Sequence, residues 1–465
     1  MKGRDSLKNA REKQSDSARV EVVNKLATKG HLTARERINR LLDSDGRVEY
    51  GSIAAKTPDG EWISETGGVD FIGSIAGQTV IASSTDYTDH GGGYGAGRLG
   101  RLYQLALTNR WPVILFVDGG GSRARHPRTG LGHIETSGTF GKFNALDGVM
   151  ELSGWVPTIA IVSGPAFAGH ASIAGFSDFL ISTPGSSIGM GGPPMVEAAL
   201  GQRLTPNQLA GSEMHEKTGG IDLLVPNEEA AIYEAKRYLS YYIHKNNSNE
   251  PQVLNVEEGA SIRSIIDGII DADSLFQLRE NFAPSVITAL ARIGGRSIGL
   301  LANDPEIDQG AIDSRGASKI ARFIELCNCY EYPIVSLVNS VGCSNLWIDK
   351  NQNVTSEVGI SRWHARPIMA HQRRTVPLLA VQTGKSFGLT ESVMIGSSNE
   401  NIPAIKLAWP NIEVGRHDGF SAVIDHDAFD DVIQPEETRN YLLSLLSHFP
   451  LPPPRVKKKH RIDSW

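Results

Sequence analysis

Cysteine is scarce: the 465 residues contain three, Cys327, Cys329 and Cys343, too few for a disulfide framework. Cys327 and Cys329 fall on an apolar helical pattern, which predicts core thiols rather than ligands and suits a reducing, cytoplasmic setting. Long apolar runs are missing too. No stretch approaches the ~18 residues of a membrane span, and the charged opening segment lacks the apolar core of a signal peptide, so no membrane association is expected. Basic residues are not in excess: 46 Lys and Arg stand against 52 Asp and Glu, a net charge of −6 that argues against nucleic acid as a partner. Clusters of His, Cys and carboxylates with ligand spacing are also lacking, and no metal site is expected.

Glycine is abundant, at 49 residues, and collects in pairs and triplets at strand ends, where it marks tight turns and close backbone approaches. The densest such region is Val156 to Pro194. Thr158 to Val162 is an apolar run of strand length, broken by Gly164-Pro165. Next comes Ala166-Phe167-Ala168-Gly169-His170-Ala171, whose small side chains leave backbone N–H groups accessible as a helix begins. A strand, a small-residue turn and a helix start form a site for developing negative charge, because first-turn amides lack partners and point outward. Close packing of a helix on a sheet needs Gly and Ala as well, and the stretch alone leaves both readings open. His170 packing at the helix start competes with His170 exchanging a proton beside a substrate.

Along the chain, residues 1 to about 45 read as polar helix. Thr33 and Glu36 stand at capping-box spacing, and the charge nearby reads as a solvated face. Val69 to Ile75 and Thr79 to Ser83 predict a hairpin. The glycine-rich segment Asp86 to Gly95 fits neither P-loop nor dinucleotide-fold spacing and leads into a helix from about Gly97 to Asn109. The strand Val113 to Val117 then ends in a second exposed-amide turn, Asp118-Gly119-Gly120-Gly121-Ser122-Arg123.

This order recurs. Ile75-Ala76-Gly77 matches Ile293-Gly294-Gly295, and the helix through Leu102 matches the helix through Ile320, Phe323, Ile324 and Cys327. Pro112 to Asp118 matches Pro333 to Asn339, and Ser163 to Gly169 matches Thr383 to Leu389. Four matched elements in one order predict two copies of a strand-helix-strand unit, hence an α/β protein. The expected division is 1–245 and 262–465, joined by a linker at 246–261.

These residues resemble the carboxyltransferase (β) subunits of biotin-dependent acyl-CoA carboxylases, of the propionyl-CoA and methylcrotonoyl-CoA type. The resemblance runs almost end to end, through LTARERINRLLD (Leu32 to Asp43), DGGGSRAR (Asp118 to Arg125), GPAFAG (Gly164 to Gly169), MGGPPMV (Met190 to Val196) and PPPRVKKKHR (Pro452 to Arg461). It implies two tandem crotonase-like (ClpP/crotonase) domains. The first would bind acyl-CoA and the second biotin carried on another protein, with the site formed where the first copy of one subunit meets the second copy of its partner. The implied partners are a biotin carboxylase and a biotin carrier, since the chain has no Met-Lys-Met biotinylation site. The implied state is a homo-oligomer, a dimer or a trimer of dimers. By position, Ala168 and Gly169 would offer the amides that polarise the thioester carbonyl. Gly119, Gly120, Gly121, Ser122 and Arg123 would shape the substrate side, and Arg125 and His126 could meet CoA phosphates or solvent.

The second copy departs from the family pattern. Gly-Gly-Ala is replaced by Gly388-Leu389-Thr390, Asp-x-Pro-Gly-Phe by Asn339-Ser340-Val341-Gly342-Cys343, and His-Gly-Ala-Lys by Trp363-His364-Ala365-Arg366. Leu389 and Thr390 retain backbone donors, while the Leu389 and Trp363 side chains could occupy space meant for biotin. The expected activity is carboxyl transfer from carboxybiotin to the α-carbon of an acyl-CoA or other acyl thioester. A biotin-independent enzyme on acyl thioesters, such as a decarboxylase, hydratase or hydrolase, and a catalytically silent partner subunit stand as alternatives.

Overall fold

The computed structural model describes the chain except residues 1, 65–66, 94–95, 122–144, 244–255, 258, 344–345, 349–353, 357–359, 397–401, 403, 416–427, 453–454 and 465. The chain forms two compact units, Met1–Leu239 and Ser240–Asp463.

The first unit is built on a seven-stranded sheet. Its strands lie in the order Val48–Glu49, Gly68–Ile75, Gln78–Thr85, Val113–Phe116, Thr158–Val162, Phe179–Ser182 and Leu223–Leu224. The first two pairings are antiparallel and the remaining four parallel. The predicted hairpin is present, eight residues on eight, from Gly68 opposite Thr85 to Ile75 opposite Gln78. Val113–Phe116 and Thr158–Val162 are buried along their whole length, which is why they read as continuous apolar runs. Helices Ala96–Asn109 and Ala145–Leu152 lay Leu99, Leu102, Tyr103, Ala106, Val149 and Leu152 into the same apolar core as the sheet.

The second unit repeats this frame. Phe276–Leu278, Val286–Ile293, Arg296–Asn303, Ile334–Ser340, Leu378–Phe387, Ala404–Ala408 and Asp431–Val432 follow one another with the same succession of two antiparallel and four parallel pairings. Its hairpin is again eight on eight, Val286 opposite Asn303 to Ile293 opposite Arg296. Helix Ser314–Tyr330 buries almost every residue, Cys327 and Cys329 included.

The repeat begins earlier than the first sequence match. Helix Ala34–Leu41 is capped by Thr33 through the expected capping box, and helix Ile262–Ile269, of equal length, is capped by Ser261. Two residues past each helix an aspartate clasps the hairpin turn. Asp43 accepts N–H bonds from Ala76 and Gly77 at 3.2 and 3.1 Å, and Asp271 accepts them from Gly294 and Gly295 at 2.9 and 2.7 Å. In this register Arg37 of the first copy corresponds to Ile265 of the second.

Candidate active site

Neighbouring parallel strands end at one edge of a sheet, which is where open α/β sheets place their sites. In the first unit the turns after Val113–Phe116 and Thr158–Val162 are laced together there. Gly119 N–H donates to Pro165 O at 2.6 Å, Phe167 N–H to Gly119 O at 2.9 Å, and Gly120 N–H to Gly91 O at 2.9 Å. Gly119 has to be glycine, because a Cβ there would lie 2.2 Å from His170 Nε2.

Ala168 sits at φ 53°, ψ −121°, a strained conformation for a residue with a Cβ. The strain reverses the chain so that helix Gly169–Phe176 starts at once. One expectation needs correcting: Ala168 N–H is not open to a ligand, since it faces Gly189 O at 3.1 Å and Met190 O at 3.2 Å. Ala168 shapes the turn and Gly169 begins the run of open first-turn amides. Gly169 N–H has no hydrogen-bond partner among the described residues, and neither does Gly121 N–H, whose residue closely abuts Ala168. Ser122, Arg123, Arg125 and His126 lie outside the described residues.

His170 is buried at 9% exposure, with Nε2 3.2 Å from Gly92 O and Nδ1 lacking a partner. Burial pushes its pKa below the usual histidine value, which favours the neutral ring. It packs against Gly92 and Gly119 at the turn.

Sequence reasoning missed the group behind this turn. Arg37 is not on the solvated face expected for its helix: it is 6% exposed. Its Nη2 donates to Asp118 Oδ2 at 2.7 Å, Ser163 Oγ at 2.7 Å and Glu228 Oε1 at 3.0 Å, while Nε donates to Glu228 Oε2 at 2.8 Å. His31 Nδ1 meets Glu228 Oε1 at 3.0 Å. Burial disfavours the Glu228 carboxylate, but the His31 hydrogen bond and the Arg37 charge outweigh it and hold the group at about 2. Burial likewise disfavours the Arg37 cation, and the charges of Asp118 and Glu228 more than compensate, raising its pKa.

The second unit carries the same turn in altered form. Gly388, at φ 60°, gives its N–H to Gly415 O at 3.2 Å, as Ala168 does to Gly189 O. Leu389 is the N-cap of the short helix Thr390–Met394, and its N–H has no partner among the described residues. The residue is 54% exposed. Thr390 is buried, its hydroxyl donating to Phe387 O at 2.8 Å. Trp363 lies on helix Ile360–Arg373, with the Arg366 guanidinium 5.0 Å from its ring centre and Arg366 paired in turn with Asp463. That helix meets the Thr390–Met394 helix through His371, which donates to Val393 O, about 12 Å along the axis from Trp363. Leu389 and Trp363 are thus held by separate contacts. Among the described residues, no group of three or more His, Cys, Asp or Glu side chains could hold a metal ion.

Each of the two tandem α/β units thus carries a positive-φ turn followed by an amide without a partner among the described residues. Residues 25–424 match the carboxyl transferase domain model, and the chain belongs to the carboxyl transferase family. It is 31% identical over 414 residues to an uncharacterized carboxylase of Bacillus subtilis (strain 168), covering 83% of this chain and 77% of the relative. It is 29% identical over 420 residues to the methylmalonyl-CoA carboxyltransferase 12S subunit of Propionibacterium freudenreichii subsp. shermanii, covering 84% and 77%. The crystal structure of a transcarboxylase 12S hexamer with methylmalonyl-coenzyme A and methylmalonic acid bound superposes with a TM-score of 0.76 at 25% identity, over 94% of both chains. The crotonase-like architecture implied by the sequence resemblance is the architecture of this chain.

Proposed function

We propose that the protein is the carboxyltransferase component of an acyl-CoA carboxylase, adding a carboxyl group to the α-carbon of an acyl-CoA. Residues 1–245 would take the acyl-CoA and residues 262–465 would face biotin. The observation that carries the reading is the open Gly169 amide, presented by strained Ala168 at the sheet edge. A thioester oxygen placed against Gly169 N–H and Gly121 N–H gains negative charge as the α-proton leaves. Each such donor lowers the barrier by roughly 3 to 4 kcal/mol, and no side-chain nucleophile is required.

Carboxybiotin, delivered on a separate carrier protein, would supply the carboxyl group. The second unit suits that role: Leu389 follows the positive-φ Gly388, is half-exposed, and keeps an N–H with no partner among the described residues. Partnership with a biotin carboxylase and carrier, and a homo-oligomeric state, agree with the hexamer described for the 12S relative. No helix among the described residues is long and apolar enough to cross a membrane, and Cys327, Cys329 and Cys343 are all free thiols, which supports a cytoplasmic setting.

The test is forward transfer. With carboxyl-labelled carboxybiotin and propionyl-CoA, acid-stable label should appear in the CoA ester. Absence of label from propionyl-, acetyl- and longer acyl-CoAs alike would overturn the reading.

A further inference from the structure

We propose that Arg37 is a positioning residue for the amide turn of the first repeat. Acting through Asp118, it fixes the spacing between Gly119–Gly121 and Ala168–Gly169. The inference rests on the reading of that turn as the oxygen-binding site.

Asp118 joins both turns. It lies between the strand Val113–Phe116 and Gly119, and its Oδ1 accepts Ser163 N–H at 2.9 Å and Gly164 N–H at 2.8 Å from the neighbouring turn. Oδ2 accepts Ser163 Oγ–H at 3.0 Å and Arg37 Nη2–H at 2.7 Å. Four donors therefore hold one carboxylate, and three of them come from the segment leading to Ala168. Arg37 is anchored on its other side by Glu228, so the whole group has little freedom to rotate.

The second repeat shows that the fold does not demand these ions. Ile265, buried at 4%, stands where Arg37 does, and Asn339 stands where Asp118 does. Asn339 Oδ1 accepts Lys385 N–H at 3.0 Å, a neutral clasp made one residue further along than the Ser163 and Gly164 donors of Asp118. Burying an arginine with two carboxylates gives little net stability over a well-packed apolar residue. Retention of the ions in one copy only is accounted for by geometry: charge-assisted bonds are shorter and more directional than neutral ones, and they define the turn that must meet a charged oxygen.

Asp118→Asn copies the second repeat into the first while keeping an acceptor for Ser163 and Gly164. In the transfer assay it should lower kcat at least about tenfold and leave KM for propionyl-CoA within about twofold, since a displaced donor is felt where charge develops. Unchanged kcat in the folded variant would overturn the proposal. Amide hydrogen exchange decides it without turnover. Exchange across residues 164–172 should quicken at least tenfold in Asp118→Asn, with residues 379–390 unaffected, and unchanged protection at 164–172 would overturn positioning even if the enzyme assay works. Should the wild-type protein transfer no carboxyl group, the functional reading fails and the exchange result alone settles the clamp. If Asp118→Asn does not fold, Arg37→Lys, which keeps the charge but loses the planar fork, is judged by the same two readouts.

Discussion

Asp118 and Asn339 stand at the same point of the two repeats, each near the end of a buried strand and each accepting an N–H from the neighbouring segment, yet among the described residues only Asp118 is tied to an arginine. The two amide turns therefore share a backbone plan and differ in electrostatics.

Gly169 offers a clean test of the first turn. A Cβ at this position would meet nothing within 4 Å, so Gly169→Val should fold with a nearly unchanged melting temperature. Its kcat should fall about 100-fold or more if the amide must approach a substrate oxygen. Near-normal turnover in the valine variant would remove Gly169 from the site.

The ionic group predicts a pH signature. Glu228 is held at about 2 against an ordinary value of 4.5, so its stabilisation is complete above about pH 4.5 and drains away as pH falls toward 2. His31 is raised by its hydrogen bond to Glu228, so its smaller contribution is present below its ordinary value of 6.5 and is lost as pH rises through the raised one. Glu228→Gln should cost about 3 to 5 kcal/mol at pH 7, because Arg37 keeps a buried charge with one partner fewer. Urea denaturation should show the gap between wild type and variant narrowing by about 2 kcal/mol between pH 5 and pH 3. A gap independent of pH would mean that Glu228 is not ionised as described.

Leu389 separates an accessible second turn from a blocked one. With the residue half-exposed, Leu389→Gly should change carboxyl transfer by no more than about threefold. A gain of tenfold or more would show the leucine obstructing the pocket, as its departure from the family pattern first suggested.

Light scattering at micromolar protein should give at least twice the mass of one chain, with a trimer of dimers as the preferred state. A monomeric mass would contradict both.

Much of this architecture was legible in the sequence, because the repeat is carried by turn chemistry: Ala76-Gly77 and Gly294-Gly295 mark the hairpins, and the buried strands at Val113–Phe116 and Ile334–Ser340 read as largely apolar runs. The earlier start of the repeat was hidden, since helix Ala34–Leu41 and helix Ile262–Ile269 share a cap, a length and an aspartate clasp but few residue types. Arg37 was misread as solvated because its partners lie 81, 126 and 191 residues away, beyond any local pattern. The same limit applies to Ala168: nothing near it shows that Gly189 and Met190 return to take its N–H.

The most direct test of carboxyl transfer through biotin is the reverse reaction. Purified protein is given methylmalonyl-CoA with and without biocytin, and the decarboxylated CoA ester is quantified. The account predicts product at enzyme-like rates only when biocytin is present. Equal release of CO2 without biocytin would contradict it and assign the chain to biotin-independent decarboxylation.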